Sequence, residues 1–544
     1  MEKRFWIALL LCSVILMVYP RYIKMIMPPS QAPVTSAEEG VKEVASEDEA
    51  TLVKDVEEHE GSNAAIDREQ EKTLIIENEE LRITLSTIGG SVRDIELKNY
   101  FANEYERNIA FITADDDLHS FGVVFSKGKF NCNDFLFEVI KTTERAGVFR
   151  LRKGDIEIVR TYSLPESGFL LNVTVDVINH GQAQSINAEY DLFADANVAF
   201  DSAYEKRFVR FAVLDKDKIR SAHFDKVRTK GALYEGDIQW LGLRKKYFSI
   251  FVKPSFTMQH ARASVIKGTV LRGFIKTPQR VLAPGESFSD TFNVFMGPSK
   301  LILLRSMNMG FDKVFSGGFW GLFRMGLLML LGFFYNIFHN YGLAIIALTI
   351  TIKILFIPLT HKSFSSMKKM QELQPKMKAL QEQFKSDPQK LNKEVMELYK
   401  KHKVNPLGGC FPLLLQMPIF IALYQVLSEA VELRGAPFWL WIKDLSEADQ
   451  FIQFPFTIPL VNISSLNVLP ILMMGSMIWQ QKLTGSSAQS KEQQQMMLMM
   501  PIIFVFIFYN LPSGLVLYWL LNNVLTIGHQ LISHKMHPAT QDVA

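Results

Sequence analysis

Cysteine is scarce in this chain: Cys12, Cys132 and Cys410 are the three among 544 residues. They lie in an apolar run, in a long polar region and at the entrance to another apolar run, too few and too dispersed for a disulfide framework. A lone Cys132 in an oxidising compartment is expected to be buried and inert. His119, His180, His223 and His260 are scattered without the spacing of metal ligands. No glycine-rich phosphate loop and no nucleophile motif occurs, so the sequence offers no device for coupling nucleotide hydrolysis and no hydrolytic centre. No cofactor is expected. Aspartate and glutamate are also missing from every long apolar run.

Those runs are the main content of the sequence. The chain is 48% hydrophobic with a net charge of +3. Apolar segments fall at Phe5–Tyr19, Tyr341–Thr360, Phe411–Leu427, Val468–Trp479, Met496–Leu511 and Gly514–Ile532. Read as membrane spans, they give six, the last two joined by the tight turn Asn510-Leu-Pro-Ser-Gly514. The first, within residues 1–27, lacks a convincing small-x-small cleavage site and reads as an uncleaved anchor rather than a signal peptide.

Lysine and arginine set the orientation. Lys362–Lys403 holds eleven lysines against five acids and belongs in the cytoplasm. Glu429–Asp449 holds five acids against Arg434 and Lys443 and belongs outside. The alternation places both termini in the cytoplasm and the roughly 320 residues between the first two spans outside.

That outer region opens with an acidic stretch, residues 28–67, whose Glu38–Glu60 segment has ten acids against two lysines. Such a composition cannot bury a core and reads as a flexible tether. Over residues 68–305 the period becomes two: Leu81, Ile83 and Leu85 alternate with polar neighbours, as do Leu171, Val173, Val175 and Val177. Half-buried strands follow, and with recurrent turn signals they predict an all-β, antiparallel sandwich domain. Nothing in it points to a catalytic set; a docking or spacer role competes with a cleft for glycan or peptide.

In the cytoplasmic segment, Met370, Leu373, Met377, Leu380 and Phe384 form one apolar stripe, and Leu391, Val395, Leu398 and His402 another. Ser386-Asp387-Pro388 between them reads as a turn with Asp387 as N-cap. Two short amphipathic helices are expected, a helical hairpin over 362–403. Its lysines suit anionic lipid or RNA, or serve only to fix topology.

One residue breaks the apolar pattern. Lys353 sits inside the run Tyr341–Thr360, where a cation costs on the order of 2.5–3.5 kcal/mol. Snorkelling would have to cover roughly 10 Å to Thr360 at 1.5 Å per residue. Thr349 lies one turn away on the same face, Gln416 lies toward the inner end of its span, Gln480 and Gln481 close theirs, and Asn522, Asn523 and Thr526 occupy the inner half of the last. Polar groups thus gather in the inner half of the membrane. A wet pocket open to the cytoplasm and closed outside accommodates them, because unpaired polar atoms are costly in hydrocarbon. Ordinary interhelical hydrogen bonds would account for the amides but leave Lys353 without a carboxylate. Around the pocket lie adaptable apolar residues: Met417, Pro418 and Phe420, then Met500, Phe504 and Phe508.

The segment Lys403-Val-Asn-Pro-Leu-Gly-Gly-Cys-Phe-Pro-Leu-Leu-Leu-Gln-Met-Pro-Ile-Phe420 resembles the YidC/Oxa/Alb family of membrane protein insertases. So do Val431-Glu-Leu-Arg434, Ala436-Pro-Phe438 and Leu511-Pro-Ser-Gly-Leu-Val-Leu-Tyr518. The resemblance covers the whole chain and matches the Gram-negative form. It implies a bacterial inner-membrane protein with a five-helix insertase core (residues 341–535) and a short tail (536–544). It further implies a periplasmic β-supersandwich similar to sugar mutarotases and, over residues 306–340, an amphipathic helix on the outer surface. It also implies a hydrophilic substrate groove and no enzymatic activity. Lys353 stands where the family usually has arginine, exchanging a fixed charge for one that desolvation can remove. Tyr518 and Trp519 match the family's aromatic pair and join the apolar slide for substrate helices. The implied partners are nascent membrane proteins, the Sec translocon, the ribosome, the signal recognition particle receptor and anionic lipids. A secondary transporter would require internal repeats, and a glycan-processing enzyme a carboxylate or histidine constellation; the sequence has neither.

Overall fold

The computed structural model describes residues 70–101, 108–112, 118–125, 130–198, 205–317, 321–384, 387–402, 411–458, 463–484 and 491–536. The expected anchor at 1–27, the acidic segment 28–67 and Lys403–Cys410 lie outside them. The chain divides into two units, one ending at Gly321 and one starting at Leu322.

The first unit is antiparallel β throughout its described pairings. A four-stranded sheet runs Thr73–Glu77, Leu81–Ser86, Ser91–Phe101, Asn108–Ile112. The large sheet runs Phe130–Asn131, Val123–Phe125, Tyr190–Asn197, Val270–Lys276, Met258–Ile266, Ala232–Arg244, Phe248–Pro254, Ser287–Pro298, Leu170–Asn179, Ile156–Ser163, Ala146–Lys153 and Glu138–Thr143. Arg210–Asp215 and Lys218–His223 branch from Ala232–Arg244. Period-two patterning explains the layering: Leu171, Val173, Val175 and Val177 are fully buried, with Asn172, Thr174 and Asp176 half-exposed between them. Val173 pairs with Phe292, and both enter the core.

Trp240, Phe251 and Phe311 meet at ring separations of 5.0 and 5.1 Å, and the Trp240 indole donates to the Gly310 carbonyl at 3.1 Å. Buried charges here are partnered. Arg160 donates to the carbonyls of Gly89 and Phe121, and Arg272 makes a two-pronged contact to Asp195 at 2.7 and 2.9 Å. Cys132 is fully buried, and burial pushes its thiol up to about 12. Within the β region the sequence shows no long helical period before Met307. The structure places a two-turn helix at Phe224–Lys230, stopped by Gly231 at φ +69°, and a short one at Leu301–Ser306. Seven and six residues are too few for a helical period to be visible.

The second unit is helical: α1 (Gly321–Phe338), α2 (Tyr341–Glu372), α3 (Gln374–Gln383), α4 (Pro388–Lys401), α5 (Phe411–Glu429), α6 (Val468–Thr484), α7 (Lys491–Phe508) and α8 (Ser513–Met536). By length and composition, Tyr341–Pro358 and Ser513–Ile532 can each cross a membrane, and Phe323–Phe338 and Met499–Phe508 are shorter apolar helical stretches. In α1 only Arg324 and Asn336 are polar. One side of it (Leu327, Leu331, Phe334) packs on the bundle, and the other (Phe323, Met329, Phe333, Ile337) is exposed and equally apolar.

Two features depart from the sequence pattern. Helix α2 does not stop near Thr360 but runs on for 32 residues in all, through Pro358, to Glu372. Nothing in His361–Glu372 breaks a helix; the break comes at Leu373, just ahead of Pro375. The hairpin proper is therefore α3 and α4. Leu373, Met377 and Tyr399 form its small core with Val395 and Leu398, and Asp387 caps α4 by accepting from Lys390 N–H at 3.1 Å. Secondly, the connection between α5 and α6 contains two paired strands, Gln450–Ile458 and Ile463–Asn467.

Candidate functional site

The upper part of the bundle is dry. Ala344, Ile345 and Leu348 of α2 pack with Leu423, Val426 and Leu427 of α5, Leu469 and Met473 of α6, Phe508 of α7 and Leu515 and Val516 of α8, all buried. The connection between α5 and α6 closes the end of this core. Ser513 N–H and Gly514 N–H donate to the carbonyls of Glu447 and Leu445 at 2.6 and 3.0 Å. Asn467, fully buried, donates to the Tyr509 carbonyl at 2.6 Å.

Below it the chemistry changes. Lys353 Nζ donates to Thr526 Oγ1 at 2.5 Å and to Asn522 Oδ1 at 3.3 Å, joining α2 to α8. The two helices start from the same end of the bundle, and the levels agree: Lys353 lies roughly 18 Å along α2 and Thr526 roughly 20 Å along α8 at 1.5 Å per residue. The Thr526 hydroxyl donates in turn to the Asn522 carbonyl at 2.6 Å. Among the described residues no carboxylate lies within ion-pair reach of Lys353. A half-buried ammonium held by neutral oxygens keeps capacity for a further partner, since it has three donors.

The remaining polar residues separate into distinct contacts. Consecutive side chains on α8 point about 100° apart, so Asn522 faces α2 whereas Asn523 faces α6 and donates to Ser476 Oγ at 3.1 Å. Gln416 of α5 donates to the phenol of Tyr518. Thr349 is buried and returns its hydroxyl to Ile345 O at 2.6 Å on its own helix. Gln480 is half-buried on α6, one turn beyond Ser476. Sequence reasoning passed over Ser476, although its spacing of four from Gln480 puts both on one helix face.

The apolar residues also divide. Phe420, Phe504, Phe508 and Trp519 form one aromatic cluster with centroids 5.0–5.7 Å apart. Phe508, Tyr518 and Trp519 are buried, Pro418, Phe420 and Phe504 half-buried, and Met417 and Met500 exposed. The indole N–H of Trp519 is buried without a hydrogen-bond partner among the described residues. In the β unit, His180 meets Glu157 at 2.6 Å and His119 meets Ser91 at 3.1 Å, and no metal-binding cluster occurs among the described residues.

An apolar helical bundle with an embedded cation, together with a large antiparallel β unit, defines the class of membrane proteins that carry a β-sandwich domain. Residues 333–540 match the family described as 60Kd inner membrane protein, and residues 73–325 match the YidC periplasmic domain. The chain is 34% identical over 465 residues to the membrane protein insertase YidC of Pelobacter propionicus, covering 82% of this chain and 84% of that one. It is 30% identical over 565 residues to that of Syntrophus aciditrophicus, covering 98% and 100%. A solved structure of an active YidC insertase with its first transmembrane domain resolved aligns over 84% of this chain and 92% of its own, at 18% identity and a TM-score of 0.38. The chain belongs to the YidC membrane protein insertase family, a family of insertases and not of enzymes.

Proposed function

We propose that this protein inserts nascent membrane proteins by admitting their short polar tails to a hydrophilic groove around Lys353, and releases their apolar helices into lipid past Met417 and Met500. The observation that carries the reading is the Lys353 ammonium, bonded to Thr526 and Asn522 but to no carboxylate among the described residues. In the proposed topology both termini are cytoplasmic, six spans cross the inner membrane, and the groove opens inward with the hydrogen-bonded external connection as its floor. A tail that enters has a shorter hydrocarbon path left to cross. Lys353 attracts its acidic residues, and outward movement of each negative charge gains about 2.3 kcal/mol per 100 mV of potential, negative inside. Apolar transfer of the following helix into lipid supplies the rest. The protein works alone or beside the Sec translocon, while the lysine-rich hairpin meets anionic lipid, the ribosome or the signal recognition particle receptor.

Insertion rates of tail-charge variants into vesicles of fixed lipid composition test this. Lys353→Arg retains activity, Lys353→Ala slows acidic-tailed substrates most, and Lys353→Glu slows them further. Neutralising the tail shrinks the alanine defect, because paired charges give non-additive effects. An alanine defect of equal size for acidic and neutral tails would remove the electrostatic role of Lys353.

A further inference from the structure

The connection between α5 and α6 carries an apolar tip that the bundle leaves uncovered. Trp439 is 58% and Leu440 90% exposed. Leu440 sits at φ +62°, a left-handed conformation that branched side chains rarely adopt. A turn holds it there: Phe438 N–H donates to Ile442 O at 2.9 Å, and Ile442 N–H to Trp439 O at 3.4 Å. Phe438 stacks on Trp439 at 5.1 Å, and Trp441 meets Phe451 edge-on at 5.7 Å. The strands that follow expose Phe451, Ile452 and Phe456 as well.

Two clamps fix the height of this tip. The Phe438 ring lies so close to Gly342, the second residue of α2, that a Cβ there would fall 1.9 Å from it. Leu445 accepts from Gly514 N–H, the second residue of α8. The tip therefore stands level with the starts of both helices. Paired strands with an open edge cannot lie in hydrocarbon, and a row of exposed aromatic and aliphatic side chains gains nothing from water. Between those limits is the headgroup–acyl boundary, where tryptophan is enriched, and Lys443 is exposed on the same loop to meet phosphate.

We propose that Trp439 and Leu440, with the exposed side chains of the strand after them, are seated in the outer leaflet at its headgroup boundary and set the depth at which the bundle rides in the bilayer. The partner is phospholipid. The proposal rests on α2 and α8 crossing the membrane, as in the function proposed above.

The test uses the full chain with Cys12→Ala and Cys410→Ala, leaving buried Cys132, in vesicles of phosphatidylethanolamine and phosphatidylglycerol. Nitroxide labels are placed at Leu440→Cys, at Leu355→Cys on the exposed face of α2, and at Glu166→Cys on the β unit as an aqueous reference. Collision rates with oxygen and with a water-soluble nickel chelate are compared. The oxygen-to-nickel ratio is expected to be highest at Leu355 and severalfold higher at Leu440 than at Glu166. A Leu440 ratio equal to that of Glu166, with Leu355 still in hydrocarbon, overturns the anchor and assigns the tip to a protein partner instead. A Leu355 label that the nickel chelate reaches freely overturns the spanning reading, and the anchor with it.

Discussion

The ammonium of Lys353 lies 2.5 Å from the hydroxyl of Thr526, a residue 173 positions further along the chain. Through this contact and that to Asn522, one polar cluster ties α2 to α8 below a dry core. Both helices need the cluster for the same reason: neither a lysine nor an asparagine side chain tolerates hydrocarbon unpartnered.

Thr526→Val removes the closer of the two acceptors and is expected to cost about 1.5–3 kcal/mol, the range for a hydrogen bond to a charged group. In a Lys353→Met background the same substitution should cost clearly less, because the pair is already broken. Thermal unfolding in nanodiscs reads both values. Equal costs in the two backgrounds would mean that Thr526 acts only within its own helix.

Removing α3 and α4 by deleting residues 374–401 is expected to cripple insertion while leaving the bundle folded. The hairpin has its own core in Leu373, Met377 and Tyr399, where Tyr399 OH reaches Met377 Sδ at 3.2 Å. Circular dichroism and an insertion assay on the same sample check this. Full activity in the deletion variant would leave the lysines with orientation as their only task.

The β unit is expected to be largely dispensable for insertion, provided α1 is kept. The excision must cover residues 73–298, since Ser287–Pro298 is a central strand paired with both Leu170–Asn179 and Phe248–Pro254. A shorter cut would strand that segment with open edges. Complete loss of insertion by a correctly assembled variant would assign the sandwich a direct role.

Asp449, in the connection between α5 and α6, accepts from Leu469 N–H at 2.6 Å and Trp441 Nε1 at 3.1 Å. Burial raises its pKa above the usual carboxylate value, outweighing the lowering by those two donors. The unfolded chain therefore gives up this proton at lower pH than the folded protein. Stability from this group is greatest below the unfolded pKa and falls as pH rises through the folded one. Asp449→Asn keeps an acceptor for both donors and should gain on the wild type as pH rises through that window. Unfolding midpoints measured from acid to neutral pH, with an unchanging gap between the two proteins, would rule out a raised pKa at this position.

Much of the fold is legible in local pattern. Period-two stretches such as Leu171–Val177 mark strands because a sheet with one buried face imposes alternation. The apolar stripes at Leu373, Met377, Val395 and Leu398 mark the hairpin helices for the analogous reason at a period of 3.6. Lys353 announces itself by cost alone. The strands at Gln450–Ile458 and Ile463–Asn467 were not legible, because Phe451, Ile452, Phe454 and Phe456 form an apolar run with Pro455 inside it. The length of α2 was not legible either: a composition change at Thr360 marks the edge of an apolar run and not the end of a helix.

The sequence by itself determined the β class of the region around Leu171–Val177, the helical class of the apolar runs from Tyr341 onward, and the presence of a cation with no acid in its own run, since these depend on composition and spacing along the chain. Tertiary structure alone decided which polar groups meet. Asn522 and Asn523 are neighbours in sequence yet serve different helices, Lys353 in one case and Ser476 in the other, because the helical twist turns them to different faces. It likewise decided that Trp519 enters an aromatic cluster while Leu440 stands out at φ +62°. Such choices follow from how helices pack and how turns close across long stretches of chain, and no local pattern carries that information.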